Sequence, residues 1–389
     1  MTAATLLETP FHALHLQHHA KMTDFAGWDM PLHFGSILEE HRWTRSAAGF
    51  FDVSHMGRIK FTGRHARRFL DRVCTRGILG MERGMVRYGL VLNEQGGCRD
   101  DILVYCLDED EYLVVCNASN RAKLIEHFTA CKGDLSFKMD DQTLSTAMVA
   151  IQGPKVMDLV GTMSREIPTL KRYRFVEKSL MVVKLLVSRT GYTGEDGVEI
   201  ILGAGMAKLA LGMLLKDMGG PASVVKPCGL GARDTLRMEA GMPLYGHEID
   251  ETIDPLTAGL DFAVKLNKGA GDEREGRFIG QDALEAIARE GLKRKLVGLR
   301  LEGRRSARQG MNVLAGGGAG GQVVGRVTSG CLSPTLDAPI AMAIVDRATA
   351  ESKSGVFVDL GRERAAAAVC ALPFHNPTKP GKTAAASAV

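Results

Sequence analysis

The chain lacks any run of about 18 consecutive apolar residues, so no stretch of it reads as a helix able to cross a bilayer. It also lacks a long basic block and any alternation of basic with aromatic residues. Its 49 Lys and Arg are scattered among 45 Asp and Glu, for a net charge of +4. That excludes nucleic-acid binding as the working expectation, while a mildly basic surface suits an anionic substrate or an acidic partner. The eight cysteines, Cys74, Cys98, Cys106, Cys116, Cys131, Cys228, Cys331 and Cys370, form no CxxC and no Cys/His cluster at metal spacing. No metal is expected, and a reducing compartment is. The N-terminus shows neither a charged leader with an apolar core nor an Arg-rich presequence, the first arginine being Arg42. The expected location is cytoplasmic, or the mitochondrial matrix for a processed eukaryotic chain. His12, His15, His18 and His19 have no ligand-spaced partners and read as a partly exposed N-terminal face.

What is present begins with length. A chain of 389 residues exceeds one ordinary core and predicts two or three domains. The most informative stretch is Gln95-Gly96-Gly97-Cys98-Arg99-Asp100-Asp101, followed by the apolar strand Ile102 to Tyr105. With the strand-like run Val86 to Leu92 before it, the glycines predict a β-hairpin. Asp100 and Asp101 point to opposite faces; one is free to face water and the other leans toward what the sheet covers. A carboxylate in such a drier place suits proton handling or stabilisation of a cation, against the plain alternative of a solvated turn acid.

Around it, Ser36-Ile37-Leu38-Glu39 is a capping box opening a helix toward Ala47-Ala48, with Gly49 as its stop. A strand at Phe50 to Val53, a helix from Arg64 to Cys74, the hairpin, a strand Tyr112 to Cys116 and a helix Ala122 to Cys131 speak for antiparallel α+β architecture. A strand Ala147 to Ile151 ends at Gln152-Gly153-Pro154, where another helix starts. Leu180 to Ser188 reads as one long apolar strand. It leads into Arg189-Thr190-Gly191-Tyr192-Thr193-Gly194-Glu195-Asp196-Gly197-Val198-Glu199, where three glycines and three acids are costly to order without a reason. Val198 to Leu202 is a strand and Ala207 to Leu215 a helix. Gly229-Leu230-Gly231-Ala232-Arg233-Asp234 opens a further helix, but without a preceding buried strand or a third glycine it is no dinucleotide fingerprint. A linker-like stretch lies between Asn267 and Gly276. Beyond Lys293, short strands (Leu296 to Leu301, Met311 to Leu314, Val323 to Thr328, Ile340 to Val345, Gly355 to Val358) predict a small β-barrel or sandwich. The glycine tract 316–321 reads as a hairpin tip, and the segment from about Lys379 as a frayed tail.

Taken together these stretches resemble the T-protein family of the glycine cleavage system, the tetrahydrofolate-dependent aminomethyltransferases. The resemblance rests on Phe25 to Pro31, Phe51 to Gly57, Asn93 to Tyr105, Gln152-Gly153-Pro154, Arg189 to Glu199, Gly229 to Glu239, Leu244-Tyr245-Gly246, Lys265 to Lys268, Thr328-Ser329-Gly330 and Ser333-Pro334-Thr335, occurring in order. It implies a three-domain cloverleaf with two interleaved antiparallel α+β domains and a C-terminal β-barrel or sandwich domain. The boundaries it implies are a folate-binding region 1–285 (1–56 with 145–235, and 57–144 with 236–285), a β domain 290–378 and a disordered tail 379–389. The substrate it implies is an aminomethyl group carried as S–CH2–NH2 on the lipoyl arm of a carrier (H) protein. Tetrahydrofolate takes the carbon, ammonia leaves, and 5,10-methylene-tetrahydrofolate and the dihydrolipoyl carrier result. By the same resemblance Asp101 is the catalytic carboxylate. Glu199 pairs with the pterin's amino-pyrimidine edge, and Tyr88, Asn117, Tyr192, Arg233 and Met56 line the folate pocket.

Read without the family, Tyr88 and Tyr192 are ordinary sheet aromatics, Arg233 pairs with Asp234 or Glu239 on its own helix, and Glu199 fits a solvated strand face as easily as a pocket. Phe262 stands where the family often has tryptophan, a change that keeps the packing. His375-Asn376-Pro377-Thr378 departs from the family's usual C-terminal tyrosine contact. Two other readings stay open at this point: a tetrahydrofolate-dependent demethylase or sarcosine-type folate domain on the same fold, and a folate-binding iron–sulfur assembly factor. The last is disfavoured by the absence of a cysteine from Arg189 to Glu195.

Overall fold

The computed structural model describes residues 5–214, 218, 220, 222–270, 276–317, 321–352 and 355–377. Parts of the expected linker (271–275), the glycine tract (318–320), the end of the helix expected to reach Leu215, and the expected tail lie outside them. The chain folds as two compact units, each discontinuous in sequence. One holds the N-terminal residues to Arg67, Met81–Arg87 and Leu103–Asp234; the other holds Arg68–Gly80, Tyr88–Ile102 and the residues from Thr235 onward. The architecture is α+β, and its C-terminal part is a closed barrel.

The first unit is built on a six-stranded sheet in the order Phe175–Leu180, Val183–Ser188, Gly197–Gly203, Thr146–Gln152, Ala48–Asp52, Val225–Pro227. All pairs are antiparallel except the last, which is parallel. The inner strands are rich in Val, Ile, Leu and Ala. One apolar face packs Val149, Ile151, Val187, Val198, Ile200 and their neighbours into a core with Phe11 and Phe50. The expected long strand over Leu180 to Ser188 is instead two strands of a hairpin. The chain turns at Met181-Val182, Met181 taking φ +52°, a turn that none of the usual turn residues announces. The helix Ile37–Ser46 is capped as expected, the Glu39 N–H donating to Ser36 Oγ at 3.4 Å. Gly49, however, does not stop it but lies in the strand Ala48–Asp52, where a Cβ would come within 2.3 Å of Thr44 Oγ1. Close approach, not a left-handed turn, demands that glycine. His15 is also not on an exposed face: it is buried against Asp52, Nε2 to Oδ2 2.8 Å, with Thr9 donating to the same oxygen.

The strands Val86–Leu92 and Cys98–Asp108 form the expected hairpin and begin a five-stranded sheet continued by Glu111–Cys116, Gly57–Thr62 and Lys138–Asp141. The second unit contains the turn of that hairpin. Asn93 Oδ1 accepts from the Gln95 and Gly97 amides, at 3.1 and 2.9 Å, and Asn93 Nδ2 donates to the Glu251 carbonyl. Leu90, Leu92 and Cys98 pack under Ile249, Ala258, Leu260, Phe278 and Leu284. The barrel closes as Arg294–Leu301, Ala338–Asp346, Gln322–Ser333, Asn312–Ala315, Val356–Asp359 and Arg364–Cys370. Its sixth strand escapes sequence reading because Arg364 to Ala368 is a run of four alanines after an arginine, with weak β propensity. The helix Leu230–Glu239 ends in the second unit, where Glu239 accepts from Ser333 Oγ and Thr335 Oγ1, and Arg237 pairs with buried Glu248 at 2.8 Å.

Candidate functional site

In the first unit, Glu199 lies on a strand buried on both faces and is itself 5% exposed, so the solvated-face reading fails. Thr190 Oγ1 donates to its Oε2 at 2.5 Å. Among the described residues Oε1 accepts no hydrogen bond. Burial pushes the Glu199 carboxyl pKa up, and the Thr190 hydroxyl and the Arg233 charge pull it back. Arg233, half-buried on the helix Leu230–Glu239, lays its guanidinium over the Tyr192 ring, 4.7 Å from the centroid. Burial lowers its pKa, against the opposing charge of Glu199. Its Nη1 is buried and has no hydrogen-bond partner among the described residues. Glu199, Arg233 and Tyr192 are thus brought together, and Arg233 does not spend itself on Asp234 or Glu239.

The loop that carries Tyr192 is held from below. Gln152 is fully buried; its Nε2 donates to the Thr190 carbonyl at 3.1 Å and its Oε1 accepts from Thr193 Oγ1 at 3.1 Å. A Cβ on Gly191 would sit 1.9 Å from Gln152 Oε1, so the glycine fits because the glutamine is there. Arg45 ties the loop to the helix Ile37–Ser46 through the Thr193 carbonyl and Glu195, both at 2.8 Å. Arg189 grips Asp196 through two nitrogens.

Met56 and Asn117 flank one end of a strand pair, next to the paired Gly57 and Cys116. Buried Arg58 fixes the Met56 turn by donating to the Ser54 and Met56 carbonyls. Next to Met56, His55 is buried, and burial drives its pKa down to about 3, with Asp52 opposing and Arg233 and Arg58 adding to the shift. It is neutral across physiological pH and feels the Arg233 charge.

In the second unit, Tyr88 OH donates to Asp101 Oδ2 at 3.2 Å. Asp101 is half-buried. Asp100, on the opposite face with Cys98, is fully buried. One acid of the pair is covered and the other partly exposed, as alternation predicts, and the covered one is Asp100: the face opposite Asp101 is the one under the 249–263 segment. Phe262 packs from the surface. It fills no core but is 60% exposed and stacks on Tyr88, rings 6.0 Å apart and 18° from parallel. Thr75 holds the two together: its hydroxyl accepts from the Leu90 amide at 3.0 Å and donates to the Ala263 carbonyl at 2.7 Å. Thr75, Gln152, Thr190 and His55 were missed as site residues. Only Thr190 and Gln152 carried a signal, by lying in the glycine-rich stretches. Among the described residues no cluster of His, Cys, Asp or Glu is arranged to hold a metal, and no helix is long and apolar enough to cross a membrane.

An α+β chain that ends in a six-stranded closed barrel, with a buried carboxylate beside a guanidinium and a phenol, sets the class within which relatives are compared. The family model described as the GCVT N-terminal domain matches residues 11–268, and that of the glycine cleavage T-protein C-terminal barrel domain matches residues 294–376. The chain is 43% identical to the aminomethyltransferase of Streptomyces avermitilis, over 95% of this chain and 98% of that protein. It is also 43% identical to that of Rubrobacter xylanophilus, over 96% and 95%. The crystal structure of the glycine cleavage system aminomethyltransferase T from Bartonella henselae superposes with a TM-score of 0.86 at 32% identity, over 96% of this chain and 99% of that one. The chain belongs to the glycine cleavage T-protein family. It is an aminomethyltransferase of the glycine cleavage system, and the demethylase and assembly-factor alternatives are not favoured.

Proposed function

We propose that the acceptor is tetrahydrofolate, that the donor is the aminomethylated lipoyl arm of a carrier (H) protein, and that the two acidic stretches have separate tasks. The observation that carries this reading is the buried Arg233 Nη1, without a hydrogen-bond partner among the described residues, whose charge acts on buried Glu199, with the Tyr192 ring under the guanidinium. Such a set suits a flat heterocycle that offers N–H donors on one edge and acceptors on another. Glu199 meets the amino-pyrimidine edge and Arg233 and Tyr192 the adjoining face, with Met56, Asn117 and Tyr88 as further folate-binding residues. Tetrahydrofolate supplies two nucleophilic amines, which take up the CH2 unit while the sulfur leaves as thiol and the nitrogen as ammonia.

Asp101 is the catalytic residue in this reading. Positive charge builds on carbon and nitrogen as the bond to sulfur or nitrogen breaks, and a fixed carboxylate stabilises it and passes the proton that ammonia needs. The Tyr88 hydroxyl holds Asp101 by one oxygen and so fixes the carboxylate for this work. The proposal extends to the arrangement of the chain: a folate-binding region 1–285 made of two interleaved subdomains, a β domain over 290–378, and action in a reducing cytoplasm, which eight free cysteines suit. The test is an assay with aminomethylated lipoyl carrier and tetrahydrofolate, following ammonia and methylene-tetrahydrofolate together. The expected result is equal yields of both, dependent on both substrates; ammonia release indifferent to tetrahydrofolate would refute the acceptor.

A further inference from the structure

Three hydroxyls stand in line behind Glu199. Tyr105 OH lies 3.1 Å from Ser188 Oγ, Ser188 Oγ lies 2.7 Å from Thr190 Oγ1, and Thr190 donates to Glu199 Oε2 at 2.5 Å. Tyr105 and Ser188 are 0% and 1% exposed, so bulk water does not compete for these protons. The polarity of the line follows from its far end. Among the described residues Tyr105 OH faces two hydroxyls, Ser188 at 3.1 Å and, further off, Thr190, and a buried phenol proton needs an acceptor, for which Ser188 is the nearer. Ser188 therefore accepts from Tyr105 and passes its own proton to Thr190, whose proton goes to Glu199. The opposite polarity, with a protonated Glu199 donating to Thr190, leaves Ser188 only the Glu199 carbonyl oxygen, 3.4 Å away. Each bond polarises the next, so the chain delivers more to its terminal acceptor than one hydroxyl alone.

We propose that Tyr105, Ser188 and Thr190 are positioning residues that hold Glu199 as an anion with Oε1 presented, so that the site selects a ligand edge with paired N–H donors. This rests on the reading of Glu199 as the folate-binding acid and deepens it. The other charged or titratable groups facing Glu199 are Arg233, from the helix Leu230–Glu239, and Tyr105 itself; His55 and Tyr192 bear on Arg233, and His55 is neutral. Burial opposes the anion, and Thr190 and Arg233 support it. Without the hydroxyl line, Arg233 alone remains to keep the proton off.

The experiment is equilibrium binding of tetrahydrofolate from pH 5 to pH 8.5 by the wild type, Tyr105→Phe, Thr190→Val and Thr190→Ser, with thermal melts of each. Thr190→Val is expected to weaken binding about tenfold or more at pH 7, the scale of a lost hydrogen bond to a charged group. In Thr190→Val and Tyr105→Phe the acid midpoint of binding moves up by about half a pH unit or more, and Thr190→Ser restores both. Losses equal at every pH, with the wild-type midpoint kept, would show that the hydroxyls only pack, and would overturn the proposal. Glu199→Gln separates the two layers. If it leaves tetrahydrofolate affinity unchanged, the folate reading fails, and the relay is then judged on the ligand-free protein by infrared titration of the carboxyl band that Glu199→Gln removes. That band must appear at higher pH in Tyr105→Phe than in the wild type; coincident titrations would overturn the relay.

Discussion

At the scale of the residue, the two carboxylates of the hairpin show what alternation reveals and what it hides. A period of two puts Asp100 and Asp101 on opposite faces, and that much is legible from the sequence. Which face is covered is not, because the cover over Cys98 and Asp100 comes from residues 249–263 and 278–284, far along the chain. Asp100→Asn is therefore expected to act on stability. It places an amide where a buried carboxylate stood and costs about 1–3 kcal/mol, seen as a lower melting temperature with turnover per folded molecule kept. Glu199→Gln is the complementary case. The amide keeps the shape but offers one acceptor and one donor to an edge that donates twice. Tetrahydrofolate affinity should fall by about 1.5–3 kcal/mol in titration calorimetry, and a change under about 0.5 kcal/mol would place the pterin elsewhere. Glu199 itself was readable only as an acid in a glycine-rich stretch. The hydroxyls behind it come from the strand Cys98–Asp108 of the other sheet, from the end of Val183–Ser188 and from the loop after it, and their convergence is tertiary.

At the scale of the element, hairpins with glycine turns and capped helices read well because their signals are local. Gln95-Gly96-Gly97 and Ser36-Ile37-Leu38-Glu39 each end up where their chemistry puts them. The failures are elements whose cause is tertiary. Met181-Val182 turns without a turn residue, Gly49 serves a close contact and no helix end, and the alanine strand Arg364–Cys370 is kept by pairing with its barrel neighbours. The hairpin turn gives a sharp prediction. A Cβ on Gly97 would lie 1.9 Å from the Glu251 carbonyl oxygen, a backbone atom that cannot swing aside, and the same carbonyl already accepts from Asn93. Gly97→Ala should destabilise the protein by about 1–3 kcal/mol, measured by denaturant titration. It should also lower turnover, since the turn aims the strand that carries Asp101. Gly27→Ala, with no atom within 4 Å of its Cβ but φ +81°, is the control that charges only backbone strain, about 1 kcal/mol.

At the scale of the whole molecule, the small positive charge gives the carrier its expected means of encounter. Arg64 and Arg68 are exposed, as are Lys293, Arg294 and Lys295, whereas Arg67 is engaged with the Tyr112 hydroxyl. Encounter steered by such charges is screened as the Debye length shortens to about 8 Å at 0.15 M salt. The apparent KM for lipoyl carrier should rise steeply with ionic strength while that for tetrahydrofolate changes little; a flat response for the carrier would leave the arm alone as the recognition element. The central claim, that Asp101 supports aminomethyl transfer to a folate held by Glu199 and Arg233, is tested most directly by single-turnover transfer from aminomethylated lipoyl carrier to tetrahydrofolate in Asp101→Asn and the wild type. The expected result is a loss of about a hundredfold or more in the rate of methylene-tetrahydrofolate formation, with tetrahydrofolate affinity within about threefold of wild type. An Asp101→Asn rate within about threefold of the wild type would contradict it.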